Sequence, residues 1–124
     1  VFILNSGSGI PIYRQLVDQV KRMVVGGQLQ PGDTLPSVRE LAGTQAVNPM
    51  TISKAYSQLE VEGILLRKRG RPMEVAALKS PSGAPEQYLE PQLKELCQAA
   101  RQLNVDPQVL PEIVANYIKK EIDL

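Results

Sequence analysis

Arg67-Lys68-Arg69-Gly70-Arg71 places four cations in five residues. Like charges this close repel one another unless an anion lies nearby, so the run fits a phosphate backbone or a minor groove. A solvated surface run is the ordinary alternative. A second constellation precedes it. At 100° per residue, Met50, Ser53, Lys54 and Ser57 share one helical face, and that face carries no acid. The acids of this stretch, Glu60 and Glu62, stand at its far end, away from a duplex approached by the helix N-terminus. Catalytic and metal chemistry have little to work with. The chain has no histidine and a single cysteine, Cys97, which leaves no zinc set and no histidine-dependent catalysis. No glycine-rich phosphate loop occurs either, and no cofactor is expected.

The elements that must position these residues are legible around them. Ser37 with Glu40 three residues on is a capping-box pattern that starts a short helix with Val38, Leu41 and Ala42 on one side. Gly43 to Val47 read as an interruption. Asn48 followed by Pro49 starts a second helix, because Asn caps well and Pro suits the first helical position. Ile52, Ala55, Tyr56 and Leu59 form its buried stripe. Two short helices joined by a tight turn make a helix-turn-helix, whose second helix enters the major groove. Gly63 stops that helix. Ile64, Leu65 and Leu66 then suit a strand, residues 67–71 a turn, and Met73 and Val75 a returning strand.

Four segments carry a family resemblance: Pro11-Ile-Tyr-Arg-Gln-Leu, Pro31-Gly-Asp-Thr-Leu-Pro-Ser-Val-Arg-Glu-Leu-Ala, Val47-Asn-Pro-Met-Thr-Ile-Ser-Lys-Ala-Tyr and Leu59-Glu-Val-Glu-Gly-Ile. In this order and spacing they resemble the winged-helix domain of GntR-type bacterial regulators. The Asn-Pro-x-Thr version and the short remainder are similar to the YtrA subfamily. The resemblance spans residues 2–76. It implies that Arg39 contacts a base or phosphate, that Thr51 and Ser53 fall at recognition-helix contact positions, that Lys54 stands where this subfamily keeps a base, and that Gly70 and Arg71 belong to the wing. The DNA-facing set is then Ser37, Arg39, Asn48, Met50, Thr51, Ser53, Lys54, Arg67, Arg69, Gly70 and Arg71. Three departures stand out. Pro49 replaces the arginine that much of the wider family has after the cap. Ala46 stands where the turn usually carries glycine, so the backbone there either avoids positive φ or tolerates strain. The wing closes as Gly70-Arg71-Pro72-Met73-Glu74-Val75 without the usual second glycine, threonine and aromatic.

Composition and charge bound the rest. The chain has 124 residues and a formal net charge of +1. Ten Lys/Arg and six Asp/Glu in residues 1–79 give +4, and four and seven in residues 80–124 give −3. The front can bind anions, and the rear would repel a phosphate backbone. Residues 1–4 are apolar enough for a strand joining the wing sheet. Ile12, Leu16, Val20, Met23 and Val24 fall at helical spacing, and Gly26-Gly27 ends that helix. Tyr13 lies beside this stripe, its ring expected to be partly buried and its hydroxyl at the surface, with a phosphate contact as the alternative reading. Residues 80–85, Ser-Pro-Ser-Gly-Ala-Pro, read as a linker between a DNA-binding domain (1–79) and a C-terminal segment (86–124).

In that segment Leu89, Leu93, Leu96, Ala100 and Leu103 form one stripe, with Cys97 beside it as a small buried thiol. Val109, Leu110, Ile113, Val114, Tyr117, Ile118 and Ile122 mark a second helix from Asp106-Pro107, which Pro111 kinks or delays. An isolated helical hairpin is marginal, so a second copy is the expected partner. Leu89, Leu93, Leu96, Leu103, Ile113, Tyr117 and Ile118 are its expected interface. With no long apolar run and no leader, neither membrane nor export is expected, and one cysteine fits the cytoplasm.

The expected fold is mainly α with a small β wing (α+β), a winged helix-turn-helix followed by a two-helix dimerisation segment. The expected function is a regulator, with repression implied by the resemblance, that binds a double-stranded twofold operator as a homodimer. Three alternatives remain at this point. One is a winged helix used for protein interaction or non-specific DNA binding, which predicts salt-dependent affinity without sequence preference. An enzyme lacks any recognisable acid–base pair. A reader fragment of a longer aminotransferase-like regulator also resembles residues 10–76, but the amphipathic 86–124 segment weighs against it. Operator, regulated genes and any small-molecule effector are not readable.

Overall fold

Helix α1 (Ile12–Val25) begins after Pro11 and buries Leu16, Val17, Val20 and Val24, with Met23 packed partly against the same core. Gly26 caps it and Gly27, at φ +80°, turns the chain away. Helix α2 (Val38–Gln45) has the complete capping box: Glu40 N–H donates to Ser37 Oγ at 3.0 Å, and Ser37 N–H donates to Glu40 Oε1 at 3.3 Å. It runs on through Gly43 and Thr44, where the sequence reading placed the interruption. The turn is confined to Ala46 and Val47. Helix α3 (Pro49–Val61) starts as expected, with Met50 N–H donating to Asn48 Oδ1 at 2.8 Å and Pro49 in the first turn. Gly63, at φ +79°, ends it, and Ile64 N–H returns to the Leu59 carbonyl at 2.9 Å.

The computed structural model describes residues 2–77 and 85–122, and the chain forms two compact units, Val1–Pro85 and Glu86–Leu124. In the first unit, β1 (Leu65–Leu66) pairs antiparallel with β2 (Glu74–Val75), Leu65 opposite Val75 and Leu66 opposite Glu74. The expected strand at residues 1–4 does not join them. Val1 lies outside the described residues, and residues 2–5 are not a strand. The Gln19 side-chain amide instead bonds both backbone groups of Ile3, at 2.9 and 2.6 Å, and Gln15 does the same for Asn5, at 2.8 Å each. Side-chain amides of α1 thus take the place of a neighbouring strand, and Phe2 drops into the core. The third partner of the wing is Thr34, in a bridge to Glu74, flanked by Leu35 N–H to Met73 O at 2.8 Å and Val75 N–H to Asp33 O at 2.8 Å.

All three helices and the wing share one core. Leu16 and Val20 meet Leu41, Ile52, Tyr56, Leu59, Leu65 and Val75 in it, each all but inaccessible to solvent. Burial of side chains of this size is worth about 1.5–3 kcal/mol each, so truncating Leu59 to alanine should cost about 2–5 kcal/mol. Lys21 Nζ to Glu62 Oε1, at 2.6 Å, ties α1 to the end of α3.

The second unit holds α4 (Pro85–Gln102) and α5 (Leu110–Ile122). Residues 80–84 of the expected linker lie outside the described residues, and Pro85 already opens α4. Leu103 falls just past that helix. Asn104 at φ 59° reverses the chain, with Val105 N–H bonded to the Ala100 carbonyl at 2.8 Å. Pro111 sits in the first turn of α5, where its missing N–H costs nothing, so it delays the helix rather than kinking it. Ala100 is the one buried residue among those described here, and α5 buries none.

Candidate nucleic-acid interface

The outward face of α3 is as the helical period dictates. Ile52, Ala55, Tyr56 and Leu59 point into the core, and Met50, Thr51, Ser53, Lys54 and Ser57 together line one shallow surface depression. Met50 is 76% exposed. Lys54 is exposed, whereas Thr51 and Ser53 are half-buried. The orientation of α3 is fixed from behind. Tyr56 donates its hydroxyl to the Pro36 carbonyl at 2.7 Å, which locks the helix to the loop that launches α2. Burial, reinforced by the nearby Glu40 carboxylate, pushes the Tyr56 phenol up to about 12.

The Asn48 and Ser37 side chains are both spent on capping, so each presents its helix N-terminus rather than a free side-chain oxygen. Arg39 is exposed in the first turn of α2. Ser37 joins the wing: with Thr34, Pro36 and Glu40 it lines a groove whose other wall is Arg67, Lys68, Arg69, Gly70 and Arg71. The site residues therefore fall into two groups, one on α3 and one between the start of α2 and the wing. Arg39 lines neither depression.

The wing cations are not equivalent, which the charge run alone did not reveal. Arg67 pairs with Glu60 at 3.4 Å and Lys68 with Glu74 at 2.7 Å. Among the described residues, Arg69 and Arg71 have no such acid. They flank Gly70, which takes φ +73° in a turn closed by Arg71 N–H to Lys68 O at 3.0 Å. Glu62 is held on the other side of α3. Burial alone would raise its carboxyl, but hydrogen bonds from Lys21 and Gln58 and the charges of Lys21 and Arg14 bring it below the ordinary glutamate range. Glu60 and Glu62, the two acids at the end of α3, are thus each paired with a cation.

Sequence reasoning also missed a contact of Lys54. Its ammonium lies 3.9 Å from the centroid of the Tyr13 ring on α1. The expectation of a partly buried Tyr13 ring holds, since it packs against the core edge.

In the second unit the expected interface residues are accessible in the single chain. Leu89, Leu93, Leu96 and Leu103 are 49, 51, 39 and 76% exposed, and Ile113, Tyr117 and Ile118 are 48, 63 and 47% exposed. Cys97, expected to be a buried thiol, is exposed, because the stripe beside it has no covering layer among the described residues of the second unit. Among the described residues no cluster could hold a metal ion, and no helix is long and apolar enough to cross a membrane.

Comparison with known proteins agrees with this geometry. The chain is 50% identical over 68 residues to the HTH-type transcriptional repressor YtrA of Bacillus subtilis, an alignment covering 55% of this chain and 52% of that protein. It thus spans about half the length of the curated relatives it matches first. The fold resembles that of a transcriptional antiterminator from Listeria monocytogenes EGD-e, with a TM-score of 0.62 and 33% identity over 94% of this chain and 89% of that one. It also resembles the AraR DNA-binding domain solved in complex with operator ORX1, with a TM-score of 0.51 and 28% identity over 58% of this chain and 87% of that one. The profile for bacterial regulatory proteins of the gntR family matches residues 12–75, the stretch from the start of α1 to the end of the wing. With two capped helices and a wing assembled on that stretch, the chain belongs to the gntR family of bacterial regulatory proteins.

Proposed function

We propose that this protein is a transcription repressor that binds a twofold DNA operator as a homodimer in the bacterial cytoplasm. The observation that carries it is the sorting of charge around α3. Glu60 and Glu62 are tied to Arg67 and Lys21, whereas Lys54, Arg69 and Arg71 present cations without an acid partner among the described residues. Residues 1–79 act as the reader, with 80–85 linking them to a dimerisation segment, 86–124. In the reader, α3 lies in the major groove. Thr51, Ser53 and Lys54 meet base edges or adjacent phosphates, and Met50 meets the thymine methyl, the apolar feature of that groove. The N-termini of α2 and α3, capped by Ser37 and Asn48, face phosphates, and Arg39 supplies a bidentate contact. Arg67, Arg69, Gly70 and Arg71 form the wing, with Arg69 and Arg71 carrying most of its free charge.

Repression is supported by the name of the YtrA relative, and operator binding by the AraR complex. Dimerisation is supported by the exposed apolar faces of α4 and α5, an arrangement that a monomer leaves without use. DNase footprinting on the DNA upstream of the protein's own gene tests the reading. A protected, twofold-symmetric site that survives excess random duplex is the expected result. Salt-dependent binding without any protected site overturns it in favour of a non-specific binder.

A further inference from the structure

The described lysines of the reader are held in different ways. Lys21 and Lys68 are each bonded to a carboxylate, at 2.6 and 2.7 Å, and Lys54 to an aromatic face, 3.9 Å from the Tyr13 centroid. The difference has a physical consequence. A carboxylate partner cancels the ammonium's charge and must be displaced before a phosphate or base oxygen can take its place. A ring face attracts the cation through its quadrupole but leaves the net charge and the outward N–H donors available. A free lysine also loses rotamer entropy when it is fixed in one pose. A lysine already resting on a ring has given up part of that freedom before it meets DNA, which lowers the cost of binding.

The setting fits that role. Tyr13 lies in the first turn of α1 with its ring packed against the core edge, so the platform is itself anchored. Lys54 projects from the acid-free face of α3 beside Met50, Thr51, Ser53 and Ser57. We infer that Tyr13 is a positioning residue for DNA recognition: its ring holds the Lys54 ammonium, undiminished in charge, in the pose that meets an acceptor of the major groove or its flanking phosphates. This rests on the operator reading above and adds a residue from α1 to the interface.

A double-mutant cycle tests it, using a duplex selected from a random pool by the wild-type protein. Tyr13→Leu removes the π face and keeps apolar bulk, Tyr13→Phe keeps the face and removes the hydroxyl, and Lys54→Met removes the cation. Tyr13→Leu should weaken binding by about threefold to tenfold. Tyr13→Phe should bind like wild type, and Tyr13→Leu should have no further effect in a Lys54→Met background. In the protein without DNA, the Lys54 ε-methylene protons should be shifted upfield by the ring current in wild type and Tyr13→Phe, and lose that shift in Tyr13→Leu. Tyr13→Met serves as the second aliphatic variant should Tyr13→Leu unfold. Equal losses from Tyr13→Leu with and without Lys54 would mean a purely structural role and overturn the inference. So would a Tyr13→Phe defect as large as that of Tyr13→Leu, an unchanged affinity in Tyr13→Leu, or an absent ring-current shift. A pool that yields no enriched duplex overturns the operator reading itself, an outcome distinct from an enriched duplex to which all the variants bind equally.

Discussion

Ala46 carries the one left-handed non-glycine backbone described in the first unit, at φ 54° and ψ 47°. An L side chain there costs about 1–2 kcal/mol, and glycine removes that strain while adding about 0.4–1 kcal/mol of unfolded-state entropy. Ala46→Gly should therefore stabilise the protein by up to about 1 kcal/mol, read as a higher urea midpoint at unchanged m-value. A lower midpoint would mean that the methyl group makes a contact worth more than the strain. Tyr56 makes a pH-dependent contribution. Its phenol stays protonated up to about 12 in the fold but ionises near 10 when unfolded. Above pH 10 the unfolded chain gives up a proton that the native one keeps, so stability present at neutral pH is lost as pH rises from 10 to 12. Tyr56→Phe should lower stability by about 1 kcal/mol at pH 7, through the lost bond to Pro36, yet flatten that alkaline decline. Parallel curves for the two proteins would rule out Tyr56 as the source. Arg39, by contrast, is exposed in the first turn of α2. Arg39→Ala should leave the unfolding midpoint unchanged and weaken operator binding by about 1–3 kcal/mol in a titration, as loss of a bidentate contact does.

Elements show which features a sequence exposes and which it hides. The starts of α2 and α3 were legible because a cap is a local device: Ser37 with Glu40 and Asn48 with Pro49 lie within a few residues of the groups they satisfy. The stripe of α3 was legible for the same reason. The wing's third partner was not. Thr34 pairs with Glu74 across forty residues, and the apolar residues 1–4 look more like a strand than Thr34 does. Nor does any helical period reveal that two glutamines of α1 bind the N-terminal backbone, or that Tyr13 meets Lys54, since both depend on how separate elements cross. The left-handed turn at Ala46 was visible only as an open choice. The same hidden geometry changes what the wing should do. Because Arg67 and Lys68 are paired with Glu60 and Glu74, Arg69 and Arg71 should dominate its phosphate contacts. Replacing both with glutamine should weaken binding to operator and random duplex alike and flatten the salt slope by up to about two units. The Arg67→Gln, Lys68→Gln pair should change the slope less. Equal slopes for the two double variants, or loss of operator binding alone, would contradict this division.

At the scale of the whole molecule the two units make opposite demands. The first has its own buried core and a charge of +4 over residues 1–79, whereas the second is acidic and buries only Ala100 among its described residues. Two helices of this length are marginal alone, and Leu93, Ile113, Tyr117 and Ile118 offer apolar surface that no described part of the second unit covers. Pairing of that surface with its counterpart about a twofold axis would bury both stripes and enclose Cys97. It would also couple two readers, whose recognition helices must lie about 34 Å apart to meet successive major grooves on one face of B-DNA. Residues 80–85, as the linker proposed above, would then fix how freely each reader reaches its half-site. A fragment ending at residue 79 should keep its thermal transition, since the core of Leu16, Ile52, Tyr56 and Leu59 lies wholly within it. It should sediment as a monomer and lose about 10²–10⁴ of the operator affinity, because the second half-site no longer benefits from a linked copy. A fragment that stays dimeric, or a 1–124 chain that sediments as a monomer at micromolar concentration, would move the dimer contact out of α4 and α5 or abolish it.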